Sequence, residues 1–185
     1  MSSKMTLVFV MILAMLGGKS LASESSPYAG EEARAIKSLS EAEIDGLLSG
    51  KGMGYAKAAE LNGYPGPAHV LELSEELSLS ADQRRETEII FSQMEASAKD
   101  LGADLVAAER ALDEAFRSKK IDETSLSKLV EDIGIIESRL RAVHLRAHLQ
   151  QTEILNDEQI SSYMDLRGYN RGEHGSHHAH HVHGS

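Results

Sequence analysis

Apolar residues recur every three or four positions through two long stretches of this chain. That spacing predicts two long helices, over residues 81–117 and 123–151. In the first, the stripe runs through Ile90, Met94, Ala98, Leu101, Leu105, Ala108, Leu112 and Phe116. In the second it runs through Leu126, Leu129, Ile133, Ile136, Leu140, Val143 and Ala147. A stripe of this kind is a seam that packs one helix against another. Only residues 118–122 separate the two, which makes them antiparallel neighbours, with Asp122 capping the second helix and Ile121 stapled onto Leu126. The pattern predicts an all-α fold: a long antiparallel helical hairpin with short flanking helices.

The flanks are read from their caps and breakers. Residues 23–66 form a polar arm, with a short helix near 31–37. A capping box at Ser40 and Glu43, with Leu39 stapling onto Ile44, opens a second helix that runs to Leu48. Glycines at 46, 50, 52, 54, 63 and 66 exclude one continuous helix, although residues 55–61 can form two turns before Asn62 and Gly63 end them. Pro67 suits the first turn of a helix to about residue 77. The hairpin domain proper covers 67–168, and its last helix opens at Asn156 and stops at Gly168. Residues 169–185 lack an apolar pattern and read as a disordered tail carrying six of the nine histidines.

Two helix starts use one device. Leu79-Ser80-Ala81-Asp82-Gln83 and Leu155-Asn156-Asp157-Glu158-Gln159 each place an apolar residue, a capping residue and a glutamine at the third helical position.

Composition then sets the compartment and narrows the chemistry. Lys4 precedes a 12-residue apolar run over 5–16, too short for a membrane span of about 20 residues. The small residues Ser20 and Ala22 follow, so residues 1–22 read as a secretory signal cleaved after Ala22, or else retained as an anchor. Removing Lys4 and Lys19 leaves 17 basic against 29 acidic residues and moves the formal charge from −10 to −12. A surface so acidic repels nucleic acid and anionic lipid and favours cations and basic segments. The chain has no cysteine and no tryptophan, so it has neither disulfides nor thiolate sites, and its core rests on Leu, Ile, Val, Met and Ala.

A cysteine-free exported chain with one such cap box before a long helical hairpin and another after it resembles the Spy/CpxP family of periplasmic proteins, marked by paired LTxxQ motifs. The resemblance covers about residues 70–168. Both boxes differ at the second position, where Ser80 and Asn156 preserve the capping chemistry. It implies a homodimer of curved hairpins forming a cradle, in the periplasm, with a role in stress response. One branch is an ATP-independent chaperone for unfolded clients. Others bind nickel, cobalt, zinc or copper as sensor or resistance proteins.

The candidate ligands are histidines. His144 and His148 stand four apart on the second long helix, one turn apart on one face, and His69 supplies a third nitrogen if the fold brings it near. The alternative is that the pair flanks the Val143 and Ala147 seam as solvated polar residues. Glu137 and Gln151 lie on nearly the same stripe. In the tail, His174, His177, His178, His180, His181 and His183 form a tract suited to weak, promiscuous capture of divalent ions. Imidazoles suit zinc, copper, nickel or cobalt rather than calcium or magnesium. Ile135, Leu145 and Leu149 fall on a second apolar face, a dimer contact or a client groove. The chain carries no GxSxG, HExxH or phosphate-binding glycine loop. With the resemblance, the expectation is a binding protein with no catalytic residue and no obligatory cofactor: an ATP-independent, chaperone-like envelope stress protein that holds unfolded clients and also binds metal, the alternative being a dedicated heavy-metal sensor or resistance protein.

Overall fold

The computed structural model describes residues 26–172. The expected signal segment and the six tail histidines lie outside the described residues. The chain divides into two compact units, one ending at Glu32 and one beginning at Ala33. Of the first, residues 26–32 are described. They make tight turns in which the Ala29 amide donates to the Ser26 carbonyl, and the Gly30 amide to Glu32 Oε2 at 2.6 Å.

The second unit is all-helical among its described residues. Its helices are α1 (Glu41–Leu48), α2 (Lys57–Glu60), α3 (Pro67–Glu72), α4 (Ala81–Arg117), α5 (Glu123–Ile154) and α6 (Asp157–Leu166). At about 1.5 Å per residue, α4 is about 55 Å long and α5 about 48 Å. They form the predicted antiparallel hairpin, turned by a left-handed Lys119 at φ 57°. Asp122 accepts the Ser125 amide at 2.8 Å, and so caps α5 as predicted. The seam predicted from spacing supplies Ala98, Leu105, Ile133 and Leu140 to the buried core, with Met94, Leu101, Ala108, Leu112, Ile136 and Val143 packed around them. Near the open end, an amide joins the seam: Gln151, fully buried, donates from Nε2 to Thr87 Oγ1 at 3.1 Å.

The polar arm does not stay free of the hairpin. Ile36 and Leu47 are buried in the same core as Leu105 and Leu140. Between residues 36 and 39 the chain bridges on itself, where the Lys37 amide donates to Asp113 Oδ1 at 3.1 Å and Ser38 Oγ to Glu109 Oε2 at 2.7 Å, both on α4. The predicted helix over 31–37 is therefore reduced to a 3-10 turn, Glu31–Ala33. Gly102 of α4 is where α1 comes closest. A Cβ there would lie 2.7 Å from the Leu47 carbonyl carbon and nearer still to its oxygen, so only glycine admits this approach.

The two repeated cap boxes prove to be one structure. Gln83 Oε1 accepts the Ser80 amide at 3.0 Å, and Gln159 Oε1 accepts the Asn156 amide at 3.1 Å, closing both boxes. The side-chain amides then face each other. Gln83 Nε2 donates to Gln159 Oε1 at 2.8 Å and to the Ile154 carbonyl at 3.0 Å; Gln159 Nε2 donates to Gln83 Oε1 at 3.1 Å and to the Leu77 carbonyl at 3.2 Å. Each glutamine thus caps its own helix and also ties down the segment that leads into the other, Leu77 or Ile154. Around this pair lies a second core of Val70, Leu77, Leu155 and Tyr163.

Several element ends differ from the pattern reading. α3 closes at Glu72, and residues 73–79 continue as tight turns, with Ser78 at φ 49° and the Leu79 amide bonded to the Ser74 carbonyl. α5 runs on to Ile154, because the first residue forced into extended conformation is Leu155, which precedes the Asn156 cap. Beyond Gly168, Tyr169–Gly172 forms a 3-10 turn, so the ordered chain extends past the predicted tail boundary, held by Tyr169.

Candidate metal centre

The histidines at 69, 144 and 148 line one cavity of about 300 Å³, together with the Ser49–Gly52 loop, Gly66 and residues of α4. α5 presents His144 and His148 one turn apart, as their spacing predicts, and α3 brings His69 into the same lining. The covering loop turns through glycines in the left-handed region, Gly50 at φ 69° and Gly54 at φ 85°. Gly50 also lies tight on α4, where a Cβ would meet the Glu95 carbonyl oxygen at 2.9 Å.

Each imidazole is in a different state of engagement. His148 Nδ1 stands 2.7 Å from the Tyr64 carbonyl oxygen, an acceptor only, so Nδ1 carries a proton and Nε2 is the nitrogen left to face a ligand. Gly66 makes room for this ring, because a Cβ there would lie 2.8 Å from His148 Cε1 and 3.0 Å from Nε2. His69 Nδ1 is 2.9 Å from Glu72 Oε2, and the carboxylate likewise leaves Nε2 free. Backbone carbonyl and carboxylate partners of this kind fix the tautomer of metal-binding histidines. His144 is 4% exposed, and its Nε2 is buried without a partner. Its ring stacks on Tyr55, with centroids 5.9 Å apart and planes 7° from parallel, and the Arg141 guanidinium lies over the same tyrosine ring at 5.9 Å. Burial, and then the neighbouring His148, hold the His144 imidazole below its ordinary proton affinity, so it stands neutral at pH 7. The alternative of a solvated His144 on the seam flank is thereby corrected: Tyr55, α2 and the glycine loop cover that flank.

A carboxylate hub backs the cavity, and nothing in the sequence pattern marked it. Glu60 Oε1 accepts the Tyr163 hydroxyl at 2.7 Å and the Tyr169 hydroxyl at 3.0 Å, with Arg167 Nε at 3.5 Å. Glu60 Oε2 is buried without a hydrogen bond and lies 3.7 Å from His148 Nδ1. Tyr163 also accepts the Gly66 amide at 3.4 Å, and burial together with Glu60 pushes its phenol well above the ordinary range. The hub therefore ties α6 to the loop that shapes His148.

The remaining candidates fall elsewhere. Gln151 is taken up by Thr87 inside the hairpin, and Glu137 sits near Tyr55, whose phenol is raised by burial and then by that carboxylate. Among the described residues, no three His, Asp or Glu side chains stand close enough together to hold one ion as placed. The orphaned His144 nitrogen and the two imidazoles with free Nε2 nonetheless fit a transition-metal ion by their chemistry. Ile135 and Leu149 are 41% and 52% exposed on the hairpin stripe that α1–α3 leave bare, whereas Leu145 is half-buried.

Fold and site together define an all-helical protein with a histidine-lined cavity on the covered face of a long hairpin. Among the described residues no helix is long and apolar enough to cross a membrane. Comparison with family models, curated proteins and solved structures yields no match to this chain.

Proposed function

We propose that this chain is an exported envelope protein that binds a zinc, nickel, cobalt or copper ion in the cavity lined by His69, His144 and His148, as a sensor or resistance protein. The observation that carries the reading is the buried His144 Nε2, unpartnered in a cavity that two further imidazoles line, each with its Nδ1 already engaged. Leaving a buried nitrogen without a partner costs about 1–3 kcal/mol, which a bound ion would recover. Gly66 leaves the space that the His148 ring occupies at the cavity wall. Outside the cavity, the acidic exterior and the six tail histidines gather cations at low affinity. Resemblance to the Spy/CpxP proteins supports the same assignment.

A second reading, ATP-independent holding of unfolded clients by a homodimer, is favoured by the exposed Ile89, Ile135 and Leu149 on the bare stripe of the hairpin. Metal titration of the full chain with its six tail histidines changed to serine separates the two. A single stoichiometric site that His144→Ala and His148→Ala each weaken about 10–100-fold is the expected result. Unchanged affinity in both variants rejects the cavity as the site, and suppression of client aggregation with all metal chelated favours the second reading.

A further inference from the structure

We infer that the ion this cavity selects is monovalent copper, held by His144, His148 and the thioether of Met94. The inference rests on the reading of the cavity as a metal site and concerns which ion that site prefers.

Met94 of α4 lines the same cavity as the two α5 histidines. Its neighbours there, Phe91 and Ala147, are apolar, and so is Ala56 above. The charge available to an ion is small. The one carboxylate in the lining, Glu95, is paired with Lys99 Nζ at 3.1 Å, and Lys51 adds a positive charge at the rim. Behind His148, Glu60 is already shared with Arg167. Imidazole and thioether are neutral donors, so the set brings no net negative charge to the ion.

Ion charge then decides the outcome. The cost of moving an ion from water into a low-dielectric site rises with the square of its charge, so a divalent ion pays about four times the penalty of a monovalent one of similar size. Imidazole by itself accepts zinc, nickel and copper alike, so the discrimination falls to the remaining donor, and with no cysteine in the chain that donor is not a thiolate. Thioether sulfur is a soft donor and selects copper in its monovalent state. An apolar, half-enclosed cavity also spares the ion from water, which favours the same state.

The test uses the full chain with the six tail histidines changed to serine, under anaerobic conditions. Monovalent copper is titrated in competition with a bathocuproine-type chelator, and zinc with a chromophoric indicator. Met94→Leu conserves volume, and an unchanged urea midpoint verifies that it keeps the fold. The expected result is one copper ion per chain, with Met94→Leu weakening copper at least about tenfold while leaving zinc within about twofold. X-ray absorption at the copper edge should show a sulfur neighbour that the variant loses. Equal copper affinity in the variant, or zinc bound more tightly than copper at a site that His144→Ala abolishes, overturns the copper assignment and leaves the metal reading standing. Binding of neither ion overturns both.

Discussion

Truncating the paired glutamines tests the most specific packing device in the fold. Gln83→Ala removes four hydrogen bonds: the cap to Ser80, the bond to the Ile154 carbonyl and the two amide contacts with Gln159. Gln159→Ala removes four as well, to Asn156, to the Leu77 carbonyl and the same two with Gln83. At a net value of about 0.5–1.5 kcal/mol per bond, and with both side chains half-buried, each single variant should lose about 2–4 kcal/mol. Because two of the bonds are common to both, the double variant should lose about 1–2 kcal/mol less than the two single losses added together. Urea denaturation followed by circular dichroism reads all four corners of the cycle, and at constant slope the midpoints convert directly to free energies. Losses that add to within about 0.3 kcal/mol mean that the amides do not hold each other, and the joint between the hairpin mouth and α6 must then rest on the Val70, Leu77, Leu155 and Tyr163 core alone.

Two further outcomes follow from the same geometry. Helix propensity favours Gly102→Ala by about 1 kcal/mol, but the new methyl meets the Leu47 carbonyl, so the variant should be destabilised by about 1–3 kcal/mol; a rise in the urea midpoint would refute the close approach of α1. His144 binds its proton less readily folded than unfolded, so in the metal-free protein stability is full above the ordinary value of about 6.5 and declines as pH falls below it; midpoints between about pH 8 and pH 5 should show this slope, and His144→Gln should flatten it, whereas a slope shared by both proteins would place the titration elsewhere.

How much of this could be read from the residues depends on how local the causes are. The hairpin was legible because a three-four repeat imposes one face wherever it occurs, and the boxes at Ser80 and Asn156 and the cap at Asp122 were legible because each is closed within four residues. That the boxes at 80 and 156 interlock was not, since the Gln83–Gln159 contact spans 76 residues. The same holds for Glu60, one acidic residue on a four-residue helix in a glycine-rich stretch, whose partners lie between 88 and 109 positions away. Gly102 reads as an ordinary weak point in a helix until Leu47 is placed against it. Of the cavity, the His144 and His148 pair was visible in its spacing, and His69 was named only conditionally. Met94 was visible as a seam residue, but its place in the cavity wall depends on the arm folding back over α4 and α5.

The buried amide between α4 and α5 has a consequence for how the rods align. A stripe of leucine, isoleucine and alanine repeats closely enough that sliding one helix past the other by a single turn would match much the same shapes. Gln151 and Thr87 admit no such shift, because a slipped pairing takes the buried Nε2 donor of Gln151 away from Thr87 Oγ1 and leaves it against hydrocarbon, at a cost of about 1–3 kcal/mol. That one notch indexes the zipper, and through it the height at which the α5 histidines come level with the wall of α4.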